Sequence, residues 1–312
     1  MKEMDISFKT VVITGVGGFL GSHLCERLLG LGVKVYGVDV KLEFQKRFVD
    51  NANYNPIVAE FKDYKKLHEL VKDPVDVFFH FAWQGGLLQN SFWDYELQLS
   101  NAKYACDAFV EAAQMGAKRF VNSGTNNQIE ITQFLNSTDF SPRGTTIYAS
   151  AKIALELMCK TLATKYNTEF VGCMIPMPYG DGNRSMQLFN VVAKNLIEGI
   201  SPKLIEGNNL YDMMYIGDIV DAFIAIAEKG KVGRTYYIGH RKLKTFRQWI
   251  EEIRDIVAPS VELRFGEYKD PLNMDYSCVN LDLLYEDTGF ECKANFEQTI
   301  KETFTWIKQN LM

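Results

Sequence analysis

The 312-residue chain predicts an α/β fold: a doubly wound parallel sheet covered by helices, with a smaller C-terminal α/β lobe. Three observations carry that expectation. Strand and helix signals alternate through the first half. The strands are near-continuous apolar runs, as strands buried on both faces require. A glycine-rich turn joins the first strand to the first helix.

The elements follow in order. "KTVVITG" is a β-branched strand, and "SHLCERLLGLG" has helical spacing with glycines at its end. "VKVYGVD" and "NPIVAE" are the next strands, and "DYKKLHELVK" reads as a helix. "VDVFFHFAW" is a fourth strand, leading to a long helical segment from Tyr95 to Met115. "KRFVNSG" is a fifth, "YASAKIALELMCKTLATKY" a helix and "TEFVGCMIP" a sixth strand. Past Pro176 the alternation loosens. "MQLFNVVAKNLIEG" and "TFRQWIEEIRDIV" read as helices, "MMYIGDIVDAFIAIAEKG" as a short strand running into a helix, and "RTYYIG" as a strand. The tail "NFEQTIKETFTWIKQNL" is amphipathic. The division falls between residues 1–175 and 176–312, with the chain crossing between the two parts.

Hydrophobic residues make up 47% and charged residues 23%, the balance of a globular protein. A net charge of −5 argues against a nucleic-acid surface, which needs clustered Lys and Arg. The apolar runs are strand-sized and no signal peptide is apparent, so neither a membrane span nor secretion is expected. The six cysteines include no C-x-x-C pair; reduced thiols in a cytoplasmic protein are the expectation, without a metal site.

Gly15, Gly18 and Gly21 are spaced G-x-x-G-x-x-G between a strand and a helix. Glycines there permit a tight turn and let a pyrophosphate approach the backbone and rest on the helix N-terminus. Asp39 ends the second strand, where a carboxylate bonds the adenosine ribose hydroxyls and repels a 2′-phosphate. This favours NAD over NADP, although Lys41, Lys46 and Arg47 nearby would tolerate a phosphate. Glu60 ends the third strand within reach of an adenine edge. "HFAW", His80 to Trp83, should pass near the cofactor phosphates, with His80 itself a packing residue.

Thr125 follows the fifth strand, at the sheet end that faces the ligand crevice, with Ser123 as a competing hydroxyl. Tyr148 and Lys152 stand at i and i+4 on one helix face. A nearby ammonium and a positively charged nicotinamide lower a phenol from its ordinary value of about 10, making it a general base near neutral pH and an acid in reverse. A Y-x-x-x-K pair alone is common in helices; downstream of a dinucleotide turn it gains meaning.

Taken together, the glycine turn, Asp39, "HFAW", Asn101 in the long helix, Thr125, "YASAK" and "PYGDG" resemble the extended short-chain dehydrogenase/reductases. The similarity is to their NAD-dependent epimerase/dehydratase group, which acts on nucleotide sugars, and it runs over essentially the whole chain. The resemblance implies a Rossmann-type domain and a lobe that binds a nucleoside diphosphate sugar. It implies a Thr125–Tyr148–Lys152 triad. It also implies cofactor contacts from Gly15, Gly17, Gly18, Phe19, Leu20, Gly21, Asp39, Glu60, Phe61, Phe81, Ala82, Trp83, Asn101, Ser123, Tyr148, Lys152 and Pro176. Substrate contacts would come from Thr125, Asn126, Met177, Tyr179 and Arg184. A homodimer through helices near residues 95–115 and 148–166, packed as a four-helix bundle, is implied too.

The chain departs from the family pattern where the diphosphate is held. Tyr211 precedes Asp212 in place of an arginine, Met177 and Pro178 replace the asparagine before Tyr179, and Lys269 stands where a late arginine is expected. Arg184, Lys203 or Arg264 would have to rebuild that pocket, and Asp218 reads as a helix N-cap. Asn126–Asn127 replace the Asp–Glu pair of the family's 4,6-dehydratases and cannot act as acid and base. The expectation is an NAD(P)-dependent epimerase or 4-ketoreductase. The alternative is a non-catalytic dinucleotide-binding regulator.

Overall fold

The computed structural model describes residues 6–85, 89–137, 141–269 and 274–312. The first apolar run becomes β1 (Thr10–Thr14), with Val11, Val12 and Ile13 fully buried. Next come α1 (Phe19–Gly30), β2 (Lys34–Asp39), a 3₁₀ turn at Leu42–Phe48 and β3 (Tyr54–Val58). The expected "DYKKLHELVK" helix is instead a 3₁₀ turn, Phe61–Lys66, ending in one turn of α2 (Leu67–Leu70). Phe61, Tyr64 and Leu67 pack into the core at every third residue, a spacing that suits 3₁₀ winding.

β4 (Val77–His80), α3 (Tyr95–Gln114), β5 (Arg119–Ser123), α5 (Gly144–Ala163) and β6 (Glu169–Met174) follow the sequence reading; α4 (Gln128–Leu135) was not anticipated. The strands order as β10 (Thr235–Tyr237), β6, β5, β4, β1, β2, β3, every pairing parallel. β3 lies at an edge and tolerates Pro56. The order reverses between β1 and β4, and a doubly wound sheet opens its ligand crevice there.

Alternate side chains feed two cores. Val11, Ile13, Phe79 and Val121 pack under α1 and the later α7. Val12, Phe78, Phe120 and Phe170 pack under α3 and α5. Phe120 stacks on Phe78 at 5.2 Å and on Phe170 at 6.1 Å, joining three neighbouring strands.

The second part holds β7 (Met177–Tyr179), α6 (Leu188–Ile197), β8 (Leu210–Tyr211), β9 (Met213–Tyr215), α7 (Ile216–Lys229), β10 (Thr235–Tyr237), β11 (Lys244–Thr245), α8 (Phe246–Val257), α9 (Leu283–Thr288) and α10 (Phe296–Asn310). β7 pairs with β9, β8 with β11, and Phe189, Trp249 and Ile300 centre the lobe's own core. α7 packs on α1, and β10 rejoins the main sheet beside β6. No helix among the described residues is long and apolar enough to cross a membrane.

Asp218 does not cap α7. The N-cap is Tyr215, and Asp218 sits in the first turn, where its carboxylate accepts from the N–H groups of Lys293 (3.0 Å) and Ala294 (3.1 Å). It ties the segment before α10 to α7.

Asp212, fully buried, accepts from Tyr237 Oη at 3.0 Å and meets His240 Nδ1 at 2.7 Å. Burial pushes the imidazole down, but the Asp212 carboxylate more than offsets it, leaving His240 above its ordinary 6.5. A folded value above the unfolded one gives stability that is complete below the unfolded value and fades as pH rises through the folded one. The stability gap between wild type and His240→Gln should therefore be wider at pH 5.5 than at pH 8.5 in urea unfolding. A gap that widens with pH would contradict the pairing.

Candidate active site

The glycine turn is shaped by contacts as well as by sequence. Gly15 has φ +71°, which a residue with a Cβ rarely adopts, and such a Cβ would lie 2.9 Å from the Ala82 nitrogen. A Cβ on Gly21 would come within 2.2 Å of the Gly15 carbonyl oxygen. The ends of β1 and β4 thus meet backbone to backbone. Gly18 is the N-cap of α1 and supplies no side-chain acceptor, so the first amides of this 12-residue helix face a cleft lined by Gly17, Gly18, Phe19 and Leu20. Uncapped amides and their dipole suit a pyrophosphate.

Asp39 stands beside the turn. Its carboxylate accepts from the N–H groups of Gly17 and Val40, both at 2.8 Å. Burial lifts it above the ordinary aspartate value, against those two donors. Two of the nearby cations are engaged elsewhere: Lys41 pairs with Glu43, and Arg47 with Glu26. Phe44 was missed in the sequence, yet its Cβ lies where a Cβ on Gly17 would fall, and it lines the cleft beside Asp39. Glu60 lines the cleft and pairs with Lys62; Phe61 stacks on Tyr104 at 5.4 Å.

The cleft encloses about 1720 Å³ and runs on past β4 and β5 into the second lobe. Phe81, Ala82, Trp83, Ser123, Thr125, Asn126, Tyr148, Lys152, Pro176, Met177 and Arg184 all line it, joining residues distant in sequence. Asn101 does not. It is 2% exposed, and its amide grips the Gln84 backbone, accepting from N–H at 3.0 Å and donating to C=O at 2.9 Å. Its role is to shape the loop after β4. Tyr179 is also turned away: it is buried, bonds Thr299 Oγ1 at 2.9 Å and stacks on Phe189 at 5.0 Å. Met177 lines the cleft from the same short strand, while the Tyr179 ring packs between Phe189 and Phe296 in the lobe core.

Among the cations considered for the departed arginines, Arg184 lines the cleft with its guanidinium over the Trp306 ring at 5.6 Å, and Lys203 lines it as well. Arg264 faces elsewhere, bonding Ser201 Oγ and pairing with Glu267. Lys269 is exposed at the rim, and Tyr211 packs edge-on to Phe246 at 5.4 Å.

At the centre, Lys152 is 4% exposed and donates from Nζ to the Ser123 carbonyl at 2.9 Å. Its Nζ lies 5.9 Å from the Tyr148 ring centroid. Tyr148 is half-buried against Phe92 at 5.2 Å and edge-on to Trp83 at 5.8 Å. The electrostatics differ from the sequence expectation. Burial raises the Tyr148 phenol to about 12, and the Thr125 hydroxyl, not Lys152, opposes the rise. Burial lowers Lys152 to about 7. His80, 1% exposed, meets Thr14 Oγ1 at 2.8 Å and is pushed down to about 3 by burial and then by the Lys152 charge.

Arg143 also lines the cleft and was not foreseen. As N-cap residue of α5, it forks onto the buried Glu130 carboxylate at 3.1 Å, and the Thr146 hydroxyl donates to the same carboxylate. Glu130 belongs to the unforeseen α4, so no local signal marked this anchor for the helix that carries Tyr148 and Lys152.

Comparison with known proteins identifies the fold and the family. An uncharacterized protein of Methanocaldococcus jannaschii, MJ1055, is 25% identical, with 98% of each chain covered. The chain spans about half the length of a trifunctional UDP-glucose 4,6-dehydratase, epimerase and reductase of Arabidopsis thaliana, 47% of which is covered at 23% identity. The fold matches the UDP-glucose 4-epimerase of Thermotoga maritima, solved with UDP-glucose, at TM-score 0.77 and 19% identity over 97% of this chain and 100% of that one. Other relatives are nucleotide-sugar dehydratases and a decarboxylase. The family model for the NAD dependent epimerase/dehydratase family matches residues 11–239, and the chain belongs to that family.

Proposed function

We propose that the protein is an NAD-dependent nucleotide-sugar epimerase or 4-ketoreductase, acting at one sugar carbinol carbon, with Tyr148 as general acid/base. The observation that carries this reading is the convergence of Thr125, Tyr148 and Lys152 on the same cleft as the uncapped α1 amides and Asp39. Asp39 and the turn would hold the adenosine and pyrophosphate of NAD, with Lys152 at the nicotinamide ribose. Bound NAD supplies a carbon that accepts and returns hydride.

The chain's own residues do the rest. Thr125 offers a hydroxyl to the substrate oxygen. Tyr148 gives its proton to that oxygen during ketone reduction and takes one back during oxidation. A phenol at about 12 is in its acid form at neutral pH, ready for the reductive half. The Lys152 ammonium balances the negative charge that develops on either oxygen. Arg184 and Lys203 line the outer cleft, where a nucleoside diphosphate would lie. Asn126 and Asn127 carry no proton to move, which weighs against dehydration.

On a panel of UDP-, dTDP-, GDP- and CDP-linked sugars and their 4-ketones, wild type should turn over at least one member, and Tyr148→Phe should lose about 10²–10⁴-fold in kcat. In the reductive direction kcat/KM should fall as pH rises through about 7, where Lys152 loses its proton in the free enzyme. No turnover of any sugar by wild type, with NAD still bound, would favour the non-catalytic regulator.

Asp39→Ser should shrink the preference for NAD over NADP by about tenfold or more; equal preference in both proteins would remove Asp39 from the cofactor role. We also propose a homodimer through α3 and α5, because Leu99 and Leu157 on those helices are each 60% exposed. Sedimentation should give twice the chain mass for wild type and a lighter species for Leu157→Lys.

A further inference from the structure

Trp83 is held more tightly than a wall residue needs to be. Its indole N–H donates to Gln98 Oε1 at 2.9 Å. Gln98 is fully buried on α3, and its own amide donates to the Ser91 carbonyl at 2.9 Å. Two hydrogen bonds in series therefore set the plane of the ring. Over that ring, 3.7 Å from its centroid, stands Lys152 Nζ.

Lys152 lacks what a buried ammonium ordinarily has. Among the described residues no carboxylate lies within ion-pair distance of it, and its hydrogen bond goes to the neutral Ser123 carbonyl. The titratable groups that face it are His80 from β4, held neutral by burial, and Tyr148 from its own helix. Neither supplies a negative charge at neutral pH. An ammonium so enclosed tends to shed its proton. The face of an indole carries the negative end of a quadrupole and attracts a cation most strongly where water is excluded.

We propose that Trp83 is a positioning residue for the reaction: its indole face, fixed by Gln98, keeps Lys152 charged and aimed without neutralising it. A carboxylate in the same place would hold the lysine equally well but would cancel the charge that the reacting oxygens need. The aromatic face attracts and leaves the charge intact. This rests on the proposed role of Lys152 at the cofactor ribose.

The test uses the full chain and NADH alone, titrated by fluorescence from pH 6 to 9, so no sugar has to be known. Wild-type affinity should weaken as pH rises past about 7. In Trp83→Leu the onset of weakening should move about half to one and a half pH units lower, because the ammonium loses its aromatic partner. Trp83→Phe should fall between the two. A fluorinated tryptophan at position 83, which keeps the shape and weakens the ring face, should move the onset in the same direction as Leu and covers the case in which Trp83→Leu does not fold. An onset that stays at the wild-type pH in the fluorinated protein, or Leu and Phe variants that behave alike, would overturn the proposal. Sugar inactivity alongside the expected shifts would count against the epimerase or reductase reading alone.

Discussion

The contact between the backbones of Gly15 and Ala82 governs the rest of this molecule. It brings the chain leaving β1 against the chain leaving β4, the two strands between which the sheet reverses its order. Because no side chain intervenes, α1 starts at the mouth of the crevice with its amides facing it. Because Ala82 is fixed there, the next residue, Trp83, enters the cleft at the level of α5. Cofactor turn and reaction centre are set by one crossing. The turn's own backbone already requires the glycines, since a Cβ on Gly21 would strike the Gly15 carbonyl.

Burial separates the ionisable groups of the reaction centre. Tyr148 is driven up to about 12, Lys152 down to about 7 and His80 down to about 3. Groups pushed in opposite directions take opposite roles: a phenol that keeps its proton, a lysine poised to lose one, an imidazole that packs. From sequence spacing alone the ammonium would acidify the phenol directly. Here the lysine faces an indole and a neutral carbonyl, which orient its charge without cancelling it.

Much of this was legible in the chain. Long apolar strands and a glycine turn are local signals, and they led to the sheet, its helices and the cleft residues around Asp39, Thr125 and Tyr148. Where the reading failed, the deciding partner was far away. The family resemblance gave Asn101 to the cofactor, but the Gln84 backbone claims both ends of its amide. The family resemblance gave Tyr179 to the substrate, but its hydroxyl pairs with Thr299 on α10 inside the lobe core. Asp218 looked like a cap because it precedes an apolar run; the amides it serves belong to Lys293 and Ala294. Phe44 and Arg143 carried no motif at all, since each owes its position to tertiary packing.

β10 lies outside the first 175 residues, yet it pairs with β6 along Thr235–Tyr237 and covers that strand's outer flank. The nucleotide-type sheet is therefore finished by the half of the chain that also builds the second lobe. A protein cut after Ile175 would present Gly172, Cys173 and Met174 with their peptide groups unpaired, on a strand that is apolar on both faces. Such an edge recruits other strands. The piece that looks like an independent module would be the one most prone to stick to copies of itself.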